Sequence, residues 1–121
     1  MKLSAFTVLV PDYDAGIRFF CGILGFELCE DLNQGRKRWV TVCAPGGGVQ
    51  IVLARADTPE QRAATGRQVG GRVWLFPETD DFERDHARLI REGIRFDEEP
   101  RDEPYGRVAD FLPIPLATAG I

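Results

Sequence analysis

The sequence has few of the residues that usually carry metal or nucleophilic chemistry. It holds one histidine, His86, and three cysteines without C-x-x-C spacing, Cys21, Cys29 and Cys43. An odd number of cysteines spaced in this way is typical of free thiols in a reducing compartment, not of a disulfide framework or a zinc site. A cysteine nucleophile would need a neighbouring base. We expect His86 to pack on its helix and to serve neither as ligand nor as base.

Long apolar runs and a basic excess are also missing. No stretch approaches the roughly 20 apolar residues of a membrane-spanning helix, and the first residues do not read as an export signal. The 15 basic residues are outnumbered by 19 acids, and the net charge is -4. Nucleic-acid binding needs a clustered basic face. We therefore expect a cytoplasmic protein that binds neither nucleic acid nor membranes.

What the chain does contain is an internal repeat. A β-branched strand at residues 3–10 leads into a helix that Asp12 or Asp14 can cap and Gly25 can end. Strand-like runs follow at residues 26–30, 38–44 and 49–55. The order then returns, with a strand at 72–76, a helix from Asp80 or Asp81 to Gly93, and strands at 94–98 and 107–111. The repeat predicts duplication of one half-domain.

The predicted fold class is α+β, with two βαβββ modules forming a curved mixed sheet around a concave cavity. We expect a single domain over residues 1–121, with module one at about 1–56, a linker at about 57–69 and module two at about 70–121. A sheet with helices on one face leaves its other face exposed to solvent or to a ligand. When the sheet is curved, that face is concave, as small-molecule sites require.

Several motifs resemble those of the glyoxalase/bleomycin-resistance/dioxygenase (vicinal oxygen chelate) superfamily. They are VPDYD at residues 10–14, RWVTV at 38–42, GRVWLF at 71–76 and EPRDEPYG at 99–106. Their order and spacing carry the resemblance over residues 5 to 110. It implies the duplicated fold and a function in binding or converting a small molecule.

The resemblance also implies where a divalent metal would be bound. The first-strand position is Ala5, which cannot ligate, and the fourth-strand position is Gln50, a weak ligand. In the second module the equivalent position falls near Trp74, or at Glu78 if the register slips. Residues 112–121 contain no ligand at all. We therefore predict no cofactor, with Gln50 and Glu78 as weak metal candidates.

Alternation along the strands predicts the side chains that line the cavity. Thr7, Gln50 and Trp74 would face it, with Thr41 a further candidate. The full predicted set of substrate-binding residues is Thr7, Trp39, Gln50, Trp74, Phe76 and Tyr105. Aromatic walls with a few amide or hydroxyl groups suit a flat or apolar molecule. The alternative is that these residues only fill the core.

The last residues do not read as the closing strand that the resemblance implies. Pro113 and Pro115 would each remove a ladder hydrogen bond. Residues 113–121 can be encoded as CCG ATC CCT TTG GCA ACC GCT GGG ATC, which from the third base reads Asp-Pro-Phe-Gly-Asn-Arg-Trp-Asp, an ending that resembles the superfamily's. We hypothesise a frameshift near residues 110–113, with the closing strand missing or altered and two chains pairing as a homodimer to compensate.

Three functions stay open from the sequence. The first is a metal-free protein of the bleomycin-resistance type that binds a small apolar or aromatic molecule. The second is a metal-dependent lyase or dioxygenase of the glyoxalase type. The third is an inactive remnant that only makes interactions. Whether the chain is an enzyme is thus undecided, and its catalytic residues are unknown.

Overall fold

The computed structural model describes residues 1–70, 72, 75–96 and 99–110. It is an α+β structure, as predicted, with a curved four-stranded mixed sheet of strand order β1-β4-β3-β2 and a separate two-stranded sheet. The elements are β1 (Ala5–Val10), α1 (Tyr13–Ile17), which continues as a π-helical segment (Arg18–Ile23), β2 (Glu27–Gln34), β3 (Lys37–Cys43), β4 (Gln50–Arg55), α2 (Pro59–Ala64), α3 (Phe82–Arg91), β5 (Arg101–Glu103) and β6 (Gly106–Val108). In these parts of the chain, no helix combines the length and apolar character needed to cross a membrane.

The first βαβββ module forms where the sequence predicts it. Asp12 caps α1 by accepting a hydrogen bond from the backbone N–H of Ala15 at 2.7 Å. Gly25 follows the helical segment with a φ of 79°, which only glycine adopts without strain. Strand β1 pairs in parallel with β4, and β3 pairs antiparallel with both β4 and β2.

The core lies between the first helix and one face of this sheet. Phe19 and Phe20 of the π-helical segment meet edge to face, with ring centroids 5.0 Å apart. They pack against alternate residues of three strands, and the buried cluster is Val8, Val10, Phe19, Phe20, Ile23, Val40, Val42, Ile51, Leu53 and Ile94. Ile94 comes from the second half, so the two halves share one core.

The second half departs from the predicted repeat. Its helix is present and is capped by Asp81, but Arg72, Leu75 and Phe76 are not in a strand. Of the strand predicted at residues 94–98, Phe96 makes only an isolated bridge. The strand predicted at 107–111 forms at Arg107 and Val108, which belong to β6 and pair with β5 in a hairpin, while Ala109 and Asp110 are not in a strand. Gly71, Val73, Trp74, Asp97, Glu98 and the whole predicted frameshifted tail lie outside the described residues.

Local chemistry explains these corrections. Gly70, with a positive φ of 68°, and Pro77, which lacks a backbone donor, lie on either side of the predicted strand, and neither can extend a ladder. In the hairpin, Asp102 is the register partner of Arg107, with opposite charges 3.9 Å apart. A turn at Pro104 and Tyr105 joins the two strands, and Gly106, which begins β6, has a φ of 142°.

Two long-range contacts attach the second half and the linker to the first module. On α3, Nη1 of Arg88 donates a hydrogen bond to the carbonyl oxygen of Ile23 at 2.7 Å. That oxygen is at the carboxyl end of the π-helical segment, where a cation is favoured. In the segment after α2, the side chain of Gln68 binds the backbone of β1 at Thr7 and Leu9. The linker is therefore hydrogen-bonded to the sheet edge.

Candidate functional site

The face of the four-stranded sheet opposite α1 is the candidate site, and we call it the open face. Strand alternation and register define it, because Val8, Val40 and Leu53 point into the core and their strand neighbours point the other way. Its side chains on β1, β3 and β4 are Ala5, Thr7, Leu9, Trp39, Thr41, Cys43, Gln50, Val52 and Ala54. Most are apolar or amphipathic, and seven of the nine are half-buried or exposed.

The structure brings three predicted site residues onto this face. Thr7 on β1 is the register partner of Val52 on β4, two residues from Gln50. Trp39 lies on β3, the strand next to β4, and its side chain is 38% exposed. A large aromatic side chain, an amide and a hydroxyl are thus presented on one apolar surface, which is the composition typical of small-molecule sites.

The other predicted residues are placed differently. Phe76 is 79% exposed and Tyr105 is 76% exposed. Phe76 and Glu78 lie in the non-regular stretch before α3, where Glu78 is exposed, and Tyr105 is in the β5–β6 turn. Trp74 lies outside the described residues. The described site therefore consists of residues from the first module.

Thr41 is the most unusual side chain of the open face. It is 0% exposed, and its Oγ1 is, among the described residues, the one buried side-chain polar atom without a hydrogen-bond partner. Its register partners are Val52 on β4 and Glu30 on β2. Leaving a buried hydroxyl unpaired costs about 1–3 kcal/mol, so this position carries a polar group that the free fold does not use.

The two implied metal positions in the first module do not fit a divalent ion. Ala5 and Gln50, the positions expected to supply two ligands, are direct register partners on β1 and β4. The first offers only a methyl group and the second only a neutral amide, a poor donor set for Zn, Ni, Fe or Mn. Among the described residues, no three His, Cys, Asp or Glu side chains cluster closely enough to hold a metal.

A disulfide lies at the β2–β3 side of the open face, and it corrects the expectation of free thiols at two of the three cysteines. Cys29 and Cys43 are bonded, with Cα atoms 6.3 Å apart. The register between β2 and β3 shifts between Leu28 and Glu30, so Cys29 occupies a bulge that brings it within bonding reach of Cys43. Cys21 is free, and burial raises the pKa of its thiol.

Charges gather on the helix side of the sheet instead. Arg38 of β3 donates hydrogen bonds to both carboxylate oxygens of Asp31 at 2.8 Å and to Asp14 of α1 at 2.9 Å. Its guanidinium also lies 5.8 Å from the ring centroid of Tyr13. The hydrogen bonds from Arg38 lower the pKa of Asp31 below its ordinary value. This cluster ties β2 and β3 to α1.

His86 is packed between aromatic rings, as expected. Its ring is stacked on Phe82 at 5.4 Å between centroids and lies 4.4 Å from Phe96. Asp85 lies on the same helix, and hydrogen bonds to its carboxylate from Arg84 and, less strongly, from Thr79 before the helix lower its pKa. The ring contacts of His86 connect Phe82, at the start of α3, with Phe96, which follows the helix.

Sequence reasoning missed Gln68 and the Cys29–Cys43 pair. Gln68 was included in the linker, and nothing in a single glutamine signals that its amide will bind a strand 59 residues earlier. The disulfide depends on a one-residue bulge, which is a property of strand register. A better reading of alternation in β2, where Cys29 and Glu30 disturb the pattern, could have indicated the bulge.

Comparison with known proteins identifies relatives over most of the chain. The family model described as Glyoxalase/Bleomycin resistance protein/Dioxygenase superfamily matches residues 2–119. An uncharacterized protein of Shewanella frigidimarina (strain NCIMB 400) is 49% identical over 107 residues, 86% of this chain and 79% of that protein. Among solved structures, TnmS3, an antibiotic binding protein from Streptomyces sp. CB03234, is 31% identical with a TM-score of 0.72, covering 92% of this chain and 85% of that one. A glyoxalase/bleomycin resistance protein from the same Streptomyces strain is 30% identical with a TM-score of 0.68, covering 91% and 90%.

Proposed function

The chain belongs to the glyoxalase/bleomycin resistance protein/dioxygenase superfamily, and on that basis we propose that it binds a small apolar or aromatic molecule on its open face, without a complete metal site. The proposal chooses the first of the three functions left open by the sequence. It does not require any residue to act as nucleophile, acid or base.

The observation that carries the proposal is the composition of the open face. Trp39, Thr7 and Gln50 share a surface whose other side chains are alanine, valine and leucine together with the buried Thr41 and Cys43. An apolar sheet face left half-exposed is stabilised when it is covered, because burying apolar area releases about 25 cal/mol per Å². A flat molecule would cover it, while the amide and hydroxyl groups would fix its orientation.

The relatives support the same choice. TnmS3 is an antibiotic binding protein, and it is 31% identical to this chain with 92% of this chain covered. The donor set at Ala5 and Gln50 supports binding rather than metal chemistry, since neither side chain is an anionic or imidazole ligand.

Calorimetric titration with a panel of neutral planar aromatic compounds, such as fluorenone, xanthone and acridine, tests the proposal. We expect micromolar binding to the wild type that Trp39→Ala weakens about tenfold or more, since the truncation removes the largest contact area on the face. Ile90→Ala, which truncates an exposed apolar side chain of α3, is the control and should bind as the wild type does.

Two results would contradict the proposal. The first is no measurable binding of any compound in the panel by folded wild-type protein. The second is stoichiometric divalent metal in protein purified without chelator, with binding lost in EDTA and restored by the metal. The second result would favour the lyase or dioxygenase.

A homodimer and a cytoplasmic location are further parts of the proposal. Sedimentation of the purified protein over a range of concentrations tests the dimer. The location rests on the charge and composition of the sequence, and the Cys29–Cys43 disulfide argues against it, because disulfides persist mainly in oxidising compartments.

A further inference from the structure

The Thr41 hydroxyl is a polar group placed where an apolar one would serve the fold better. It is fully buried on strand β3, and no atom of the residues that the structure describes forms a hydrogen bond with it. Its neighbour across the sheet is Val52, and Val40 and Val42 flank it in sequence. A valine at this position would have the same shape and no unpaired group, so the free fold gives no reason for a threonine.

The direction of the side chain shows what the hydroxyl can reach. Val40 and Val42 point into the core beneath α1, so Thr41 points to the open face, between Trp39 and Cys43 along its strand. Its hydroxyl therefore lies on the same surface as the proposed binding residues. Because it is enclosed, a ligand must displace a side chain to reach it, and the partly exposed Trp39 is the large neighbour two residues away.

We propose that Thr41 is a specificity-determining residue of the binding site, and that its hydroxyl donates a hydrogen bond to an acceptor atom carried within a planar apolar ligand. This inference rests on the proposed function and names the ligand class: a flat ring system with a carbonyl or similar acceptor in its interior, not a purely hydrocarbon one. An acceptor is required because a buried donor is rarely left unpaired, whereas an empty acceptor lone pair is better tolerated. A site with a buried polar group discriminates strongly against ligands that leave it unpaired.

The test uses two probes of nearly the same shape, fluorenone, which carries a carbonyl, and fluorene, which has a methylene in its place. Each is titrated calorimetrically into the wild type, Thr41→Val and Thr41→Ser. We expect the wild type and Thr41→Ser to prefer fluorenone about tenfold, the effect of one hydrogen bond of about 1.4 kcal/mol. In Thr41→Val the preference should disappear, through weaker fluorenone binding and unchanged fluorene binding.

Urea unfolding of the free proteins provides a second readout that needs no ligand. If the hydroxyl is unpaired, Thr41→Val unfolds at a higher urea concentration than the wild type, and this also shows that the variant folds. An equal fluorenone preference in the wild type and Thr41→Val would overturn the inference and leave the proposed function intact. A lower urea midpoint for Thr41→Val would also overturn it, because the hydroxyl would then have a partner such as a buried water. Failure of the wild type to bind either probe or any other member of the aromatic panel would instead overturn the proposed function, and this inference with it.

Discussion

The side-chain amide of Gln68 donates a hydrogen bond to the carbonyl oxygen of Thr7 at 2.6 Å, 61 residues earlier in the chain. Its Oε1 accepts a second hydrogen bond from the backbone N–H of Leu9 at 2.9 Å. The two backbone groups are those that a parallel neighbouring strand would bind at the outer edge of β1. One glutamine thus satisfies part of a sheet edge that would otherwise bind water or another chain.

Gln68→Glu should destabilise the protein by about 1 kcal/mol, because a carboxylate can accept from Leu9 but cannot donate to Thr7. Urea unfolding measures the change. Gln61→Glu is the matched control, since the side-chain oxygen of Gln61 accepts a hydrogen bond from the backbone N–H of Asp57 and a carboxylate can do the same. Equal losses in the two variants would show that the amide donor is unimportant.

Thiol titration tests the pairing of Cys29 with Cys43. Protein unfolded without reductant should show one reactive thiol, that of Cys21, and three after reduction. Because the bond closes a loop of 14 residues, reduction should lower the free energy of unfolding by on the order of 3 kcal/mol. Cys21→Ser should leave that effect unchanged. Three reactive thiols before reduction would disprove the disulfide.

Stability should fall in acid partly through Asp31. Arg38 holds the pKa of Asp31 below its ordinary value in the folded state, so its contribution is full above the unfolded pKa of about 4 and is lost as the pH falls through the lowered value. The stability difference between the wild type and Arg38→Gln should therefore be constant near neutrality and shrink below pH of about 4. Urea midpoints between neutral and acid pH measure it. Arg55→Gln, which breaks a longer ion pair of 3.3 Å to Asp57, controls for the change in net charge. A difference that persists unchanged in strong acid would contradict the assignment.

Two isoleucines test whether the second half shares the first module's core. Ile94 is 5% exposed and belongs to the buried cluster, while Ile90 on α3 is 52% exposed. Ile94→Ala should cost about 2–4 kcal/mol of unfolding free energy, and Ile90→Ala less than about 1 kcal/mol. Both variants should unfold in a single transition. A separate transition of the second half in Ile94→Ala would show two independent cores.

The frameshift hypothesis predicts a particular DNA sequence. The codons for residues 110–121 should encode Asp-Pro-Phe-Gly-Asn-Arg-Trp-Asp when they are translated in a shifted reading frame. Sequencing of an independent isolate should show whether the shift is natural. If translation in neither of the other reading frames restores that peptide, the tail has diverged from the superfamily's ending by substitution.

The first module was predicted well because its signals are local. The sequence predicts Asp12 or Asp14 as the helix cap, Gly25 as its end, and alternation in the strands. Each of these signals acts within a few residues, and the structure confirms them with Asp12 as the cap. The placement of Thr7 and Gln50 on one face followed from the same alternation.

The errors concern features that depend on pairing. Arg72, Leu75 and Phe76, the described residues of the strand predicted at 72–76, are not in a strand. A strand needs a partner in register as well as a suitable composition, and composition cannot supply that partner. The Cys29–Cys43 bond needed the bulge in β2, and the roles of Gln68 and Thr41 are set by which atoms lack partners after folding. Such facts belong to tertiary structure, so a single sequence does not reveal them.

The outermost strand β2 has a practical consequence for handling the protein. All eight of its residues are exposed, and Glu27 and Glu30 place carboxylates along an edge that pairs, in the described chain, only with β3. Mutual repulsion of those carboxylates discourages two molecules from joining edge to edge. Leu28 and Leu32 are exposed on the same strand, so concentrated stocks of a Glu27→Gln/Glu30→Gln variant should precipitate while those of the wild type stay clear.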